Sequence, residues 1–162
     1  MLIEMATLAE ILGAIAVIIS LIFIGIELRA NTKATKATTA SAAAAMTSSW
    51  YSDIGDNEQS SSLFLHFMEN PEGLTPEQRF QATMKIHSMA VTMQNSFYMA
   101  REGTLDKEIL TYISGAVRTV SRQPGWIWFW EQRSGLFYKD FQEYMNGLIE
   151  DGPVLSPKLY KQ

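Results

Sequence analysis

The sequence contains no cysteine and only two histidines, His66 and His87. The absence of cysteine excludes disulfides, zinc–thiolate sites, iron–sulfur clusters and cysteine nucleophiles. No H-x-x-x-H or E-x-x-H pair, the spacing that places metal ligands on one helix face, is present. We therefore expect both histidines to be packed or exposed side chains, and we predict no metal and no cofactor.

Basic residues are in the minority, because 13 Lys and Arg stand against 17 Asp and Glu, for a net charge of −4. Nucleic-acid binders need a basic surface, so we expect no nucleic-acid partner. The sequence also lacks the GxxxxGK and GxGxxG phosphate loops and the GxSxG nucleophile turn. No acid–base pair or nucleophile follows from the spacing, and we expect no enzymatic activity.

A long apolar run lies near the N-terminus, where residues 11–26 read ILGAIAVIISLIFIGI without a charge. These 16 residues are fewer than the roughly 20 that cross a bilayer, but residues 5–28 are enough, with Glu10 and Glu27 near the ends. We predict a membrane-spanning helix over residues 1–28. The alternative is a core helix buried inside a soluble oligomer.

The distribution of charge around this run predicts its orientation. Arg29, Lys33 and Lys36 follow it directly, whereas no Lys or Arg precedes it. The positive-inside rule then places the N-terminus outside and everything after the run in the cytoplasm. The three cations are predicted to contact lipid headgroups. A cleavable signal peptide would need a positive N-terminal region, which this sequence does not have.

Small residues recur along the run at steps of four, three and four: Ala9, Gly13, Ala16 and Ser20. Such a stripe lets two helices approach closely in lipid. It predicts a homo-oligomer or docking onto other membrane protein subunits. Chance is the alternative, because Ala and Gly are common in membrane helices.

Residues 29–50 are rich in Ala and Thr and contain neither Pro nor Gly. We expect the first helix to continue through this juxtamembrane segment, although a flexible linker is the alternative. Residues 51–77 carry six acidic side chains and no Lys or Arg, without the spacing of a calcium loop, which favours a solvated acidic surface over a calcium site.

The rest of the chain predicts a helical body over residues 51–150, with about four to five helices and no strand. Thr75 to Gln78 form a capping box that starts a helix ending at Glu102, with Gly103 after it. The further predicted features are a short helix around residues 63–68, a helix from Leu105 to Arg122 capped by Thr104, a break at Gln123–Gly125, a Trp-rich helix from residue 126, a helix from Lys139 to Ile149, and an extended tail over residues 151–162. The predicted fold class is all-α.

Three tryptophans and a phenylalanine, Trp126, Trp128, Phe129 and Trp130, lie within five residues. Core packing is one interpretation of this cluster. A second is an aromatic surface that docks onto a partner or the membrane interface. A third is a ligand site shared with Phe97, which would make the protein a small-molecule or lipid sensor.

The segment LGAIAVIISLIFIGIELRANTKATKA resembles the start of a widespread bacterial group of small uncharacterised proteins, whose members begin with an apolar helix of this kind. The resemblance continues through the aromatic–Arg–Glu-Gly stretch at residues 97–103 and the Pro-Gly and Trp-rich segment at residues 124–130, and it covers most of the chain from Leu8 to Leu148, apart from the acidic block. It implies the architecture given above, and the predicted location is the bacterial inner membrane. It implies no activity.

Overall fold

A computed structural model describes residues 2–152, and all regular secondary structure within them is helical. An all-α fold class is therefore confirmed for this part of the chain. The chain divides after Thr38 into two compact units, which we call the N-terminal unit and the body and describe separately. The helices are α1 (Leu2–Gly55), α2 (Glu58–Glu69), α3 (Pro76–Arg101), α4 (Lys107–Val120), α5 (Pro124–Arg133) and α6 (Lys139–Asp151), with short 3₁₀ segments at Pro71–Gly73 and Ser134–Leu136.

Helix α1 runs without interruption through the Ala/Thr-rich stretch at residues 30–49. Ala is the residue most favourable to helix, and the stretch contains no Pro or Gly to stop it. Threonine hydroxyls in this stretch donate hydrogen bonds to backbone carbonyls one turn earlier, as that of Thr47 does to the carbonyl oxygen of Ala43 at 2.8 Å. The predicted continuous helix is confirmed, and the flexible linker is wrong.

Both ends of α3 follow the sequence prediction. The backbone N–H of Gln78 donates to the Thr75 hydroxyl at 3.3 Å, and the Thr75 N–H donates to the Gln78 side-chain oxygen at 3.1 Å. This reciprocal pair satisfies two amides that the helix itself cannot. At the other end Gly103 has a φ of 75°, a left-handed conformation that glycine adopts without steric cost.

Two other helix starts differ from the prediction. The Thr104 hydroxyl donates back to the carbonyl oxygen of Met99 at 3.0 Å, so it does not cap α4, which begins after Asp106. The Pro124–Gly125 pair was expected to separate two helices but forms the first turn of α5. Proline fits there because an amide in the first turn has no partner within its helix.

The core of the body is built largely from aromatic side chains. Phe67 of α2, Trp126 and Phe129 of α5 and Phe141 of α6 are each 0% exposed. Aromatic residues bury a large area each, which lets a small helical body form a core. The approach of α5 to α2 is close, because a Cβ added to Gly125 would lie 2.2 Å from the carbonyl oxygen of Phe67. Glycine is therefore required at that contact.

Candidate functional site

The apolar segment of α1 is exposed on every side within the described chain. The consecutive side chains Ile22, Phe23 and Ile24 are 59%, 60% and 58% exposed. Because consecutive residues of a helix point about 100° apart, these values show similar exposure on three different sides. The most apolar 18-residue window has a mean hydropathy of 2.7, and none of it is buried. Within residues 2–152, α1 is the one helix long and apolar enough to cross a membrane. By length and composition it is a candidate membrane span.

The small-residue stripe lies on one side of this segment. Ala9, Gly13, Ala16 and Ser20 fall within about 60° of one another around the helix, because their steps average close to one turn. The Ser20 hydroxyl donates to the carbonyl oxygen of Ala16 at 2.8 Å, which satisfies it inside the helix. A Cβ added at Gly13 would meet no atom within 4 Å. The stripe is open to close approach by another helix.

The predicted headgroup contacts also share a face. Arg29, Lys33 and Lys36 follow one another at steps of four and three in α1, so they too lie within about 60° around the helix. They begin immediately after the apolar segment. The structure thus brings the three cations together at the end of the candidate span.

The Trp-rich cluster forms part of the core. Trp126 and Phe129 are 0% exposed, Trp130 is 8% exposed, and Trp128 is half-buried. The rings of Trp126 and Trp130 stack with centroids 6.3 Å apart, and the Trp130 indole N–H donates to the side-chain oxygen of Asn146 at 2.8 Å. Three of the four residues of the predicted aromatic docking surface are thus covered by the body itself, and only Trp128 is partly accessible. Core packing is what the structure shows.

Phe97 does not join the cluster to form a ligand site. Its ring packs against Tyr144 and Phe141 of α6, at centroid distances of 4.8 and 5.9 Å. Protein side chains fill the space that a ligand among the tryptophans would occupy. The two cavities described in the body are lined by other residues than Phe97 and the Trp-rich cluster.

The two histidines lie apart, on α2 and α3. The His87 ring packs against Phe137 and Phe129 at centroid distances of 5.2 and 6.3 Å. Burial, and secondarily the positive charge of Arg133, lowers the pKa of His87 below its ordinary value. Among the described residues no group of three His, Asp or Glu side chains is placed to hold a metal ion. His87 is thus a partly buried side chain that packs against two aromatic rings.

The body also carries a groove that the sequence analysis missed. It has a volume of about 620 Å³ and runs between the last turns of α1 and the first turns of α4. Tyr112 of α4 is 76% exposed and lines this groove. The α1 side has small residues at steps of four, four and three, the one signal that pointed to a groove. They are Ala44, Ser48, Ser52 and Gly55, and Asp56 lies at their end.

No protein-family model matches this chain, and neither the curated proteins nor the solved structures include a significant match. The resemblance to a bacterial group therefore stays an expectation.

Proposed function

We propose that this chain is a non-enzymatic, single-span membrane protein that acts by assembly, as a homo-oligomer or as an accessory subunit of a larger membrane complex. The observation that carries the proposal is the exposure of the apolar segment on all sides. A helix that is apolar all round needs an apolar surrounding, which is either lipid or other protein. Within the described residues no side chain covers it, which supports lipid as that surrounding.

The orientation follows from the cations beside the segment. Arg29, Lys33 and Lys36 would lie at the cytoplasmic headgroups, where each contributes on the order of 1 kcal/mol with anionic lipid. The N-terminus is then outside, and the body is cytoplasmic, at a bacterial inner membrane. A cysteine-free chain allows a clean topology test with the single variants Thr7→Cys and Thr38→Cys. An impermeant maleimide should label Thr7→Cys from one side of the membrane and Thr38→Cys from the other.

Assembly through the small-residue stripe explains why the segment carries a patterned face. In lipid there is no hydrophobic force between helices, so association depends on close packing, which small residues permit. Gly13 sits at the centre of the stripe. The arrangement supports a contact with a second copy of the helix or with another membrane helix.

The hydroxyls of the body's interior support a non-enzymatic role. Ser96 donates to the carbonyl oxygen of Thr92 at 3.0 Å, and Thr83 donates to that of Arg79 at 2.6 Å, each within its own helix. Ser114 bonds both the carbonyl oxygen of Leu110 and the Tyr144 hydroxyl. None of these buried hydroxyls is hydrogen-bonded to a carboxylate or an imidazole, the partners that would activate a nucleophile, and the one hydroxyl–imidazole contact described, between Ser62 and Nδ1 of His66, is long at 3.5 Å and exposed.

The Gly13→Leu variant tests the assembly, with Gly25→Leu as its matched control. Both glycines lie in the apolar segment with nothing within 4 Å of an added Cβ, but Gly25 is on the side opposite the stripe. Gly13→Leu should reduce the particle mass measured in mild detergent, whereas Gly25→Leu should leave it unchanged. Equal masses for wild type and Gly13→Leu would contradict assembly through the stripe. Full-length protein that stays monodisperse in water without detergent would contradict the membrane span itself.

A further inference from the structure

The groove between the end of α1 and the start of α4 has two chemically different ends. Its lining on the α1 side starts at Ala44 and finishes at Asp56, the only charged residue among the described lining residues. Thr47 and Ile113 line both this groove and the second, smaller cavity, which reaches the buried side chain of Met89 in α3. Asp56 follows Thr47 by nine residues, which is about 13 Å at ~1.5 Å per helical residue. One end is therefore acidic, and the other leads toward the core.

The carboxylate of Asp56 has no basic partner within residues 2–152. Its one hydrogen bond there is a long one of 3.3 Å, which the side-chain amide of Asn57 donates. Lys85 does bond this end of α1, but its Nζ donates to the backbone carbonyl oxygen of Asp53 at 2.7 Å. The sequence around Asp56 is also acidic, because residues 51–77 contain no Lys or Arg. An occupant with a positive charge would therefore be attracted to this end of the groove.

The remaining lining supplies aromatic and aliphatic surface. Tyr51 and Tyr112 line the groove with half or more of their surface exposed. The face of a tyrosine ring attracts a cation that comes within about 6 Å of its centre. Ile109 and Ile113 add apolar surface on the α4 side. The volume of about 620 Å³ lies within the roughly 300–1,000 Å³ of small-molecule sites, which are mostly apolar with a few polar groups that fix the orientation of the ligand.

We propose that this groove binds a free organic ammonium ion that carries an apolar chain. The ammonium group pairs with Asp56, and the chain lies along the tyrosine and isoleucine surface toward Thr47. A zwitterionic lipid fits less well, because its phosphate would lie beside Asp56 in a groove whose described lining contains no Lys or Arg. The site shares no lining residue with the Trp-rich cluster, and it does not depend on the membrane span.

Titration calorimetry on the full chain tests the charge preference. The protein is held in a maltoside detergent, which has no ionic group, and titrations of protein-free micelles are subtracted. The probes n-hexylammonium, n-hexanol and n-hexanoate share one chain and differ in the charge of the head group. An exposed ion pair corresponds to a factor of up to about five, so hexylammonium should bind about three to five times more tightly than hexanol. Hexanoate should bind more weakly than either, and n-hexylphosphocholine, the zwitterionic probe, no more tightly than hexanol.

The Asp56→Asn variant tests the carboxylate, with Asp53→Asn as its matched control. Both are exposed acidic residues three positions apart, but only Asp56 lines the groove. Asp56→Asn should remove the difference in affinity between hexylammonium and hexanol, whereas Asp53→Asn should retain it. Asp56→Lys should reverse the preference, so that hexanoate binds more tightly than hexylammonium.

The Ser48→Phe variant tests the location, with Ser49→Phe as its matched control. These are adjacent exposed serines of α1, but only Ser48 lines the groove. Ser48→Phe should abolish binding of every probe by filling the groove, and Ser49→Phe should leave binding unchanged. Ser52→Phe provides a second blocking position if Ser48→Phe does not fold, as judged by helicity before titration.

Four results would overturn the proposal. They are equal affinities of wild type for hexylammonium and hexanol, equal effects of the test and control variants, and hexylphosphocholine binding as tight as that of hexylammonium. The fourth is wild type that binds none of the probes, the result expected of a groove that accepts only a segment of another protein.

Discussion

A lysine at the centre of the apolar segment should weaken membrane insertion, and two should abolish it. Ile18 and Ile22 are the positions to change, because they are 56% and 59% exposed and lie on the side opposite Gly13. Their substitution therefore removes no contact within the described chain and leaves the small-residue stripe intact. Lysine is also a good helix former, so α1 itself should persist.

The magnitude follows from the composition of the segment. Residues 11–26 contain 11 Leu, Ile, Val or Phe side chains, which together favour insertion by about 3 to 7 kcal/mol at ~0.3–0.6 kcal/mol each. Ile18→Lys removes one of these contributions and adds a penalty of about 3 kcal/mol, a net change of about 3–4 kcal/mol. Ile18→Lys with Ile22→Lys costs about 6–8 kcal/mol, which offsets the whole favourable term.

Carbonate extraction and flotation with lipid vesicles measure the effect. Wild type should float and resist carbonate, the single variant should partition between the fractions, and the double variant should leave the membrane. Ala42→Lys is the matched control, because it places the same charge at an exposed position of the same helix outside the apolar segment. The membrane assignment would be refuted if the double variant stayed with the lipid as wild type does, or if Ala42→Lys were released equally.

The remaining predictions concern the body. Gly125→Ala should lower the free energy of unfolding by about 1–3 kcal/mol, because the new Cβ would overlap the backbone of Phe67. Gly147→Ala changes an exposed helical glycine with nothing within 4 Å of an added Cβ, and it should raise the free energy of unfolding by up to about 1 kcal/mol. Urea unfolding of the two variants measures both changes, and equal effects would contradict the close helix contact. Burial, and secondarily Arg133, lowers the pKa of His87 in the folded state below its ordinary value of 6.5, so the fold favours the neutral imidazole. The contribution of the neutral ring to stability is therefore complete above pH 6.5 and is lost as the pH falls from there through the lower folded-state pKa. Thermal unfolding between pH 7 and pH 5 should therefore show a steeper loss of stability for wild type than for His87→Gln, and parallel curves would show that His87 does not contribute.

The helices of the body could be predicted because their signals are local. The capping box at Thr75 and the glycine at Gly103 each act within one turn, so neighbouring residues suffice to find the ends of α3. The start of α5 was harder for the same reason. Pro124 fits both a break and the first turn of a new helix, so the local sequence does not separate the two, and the need for glycine at position 125 comes from the close approach of Phe67, nearly sixty residues earlier in the chain.

The groove shows where local patterns stop being informative. Ser48 and Ser52 lie in a stretch made almost entirely of Ala, Ser and Thr, so its composition does not tell one side of the helix from another. Tyr112 lies among the apolar residues of α4, a position from which the sequence would favour burial. Tyr112 is exposed beside the small residues of α1 only because the folded chain brings the first turns of α4 near the last turns of α1. A surface made by two helices that are distant in sequence has no periodicity of its own. The apolar segment of α1, by contrast, can be recognised as a candidate membrane span from composition alone, because that criterion needs only the length and hydropathy of one segment.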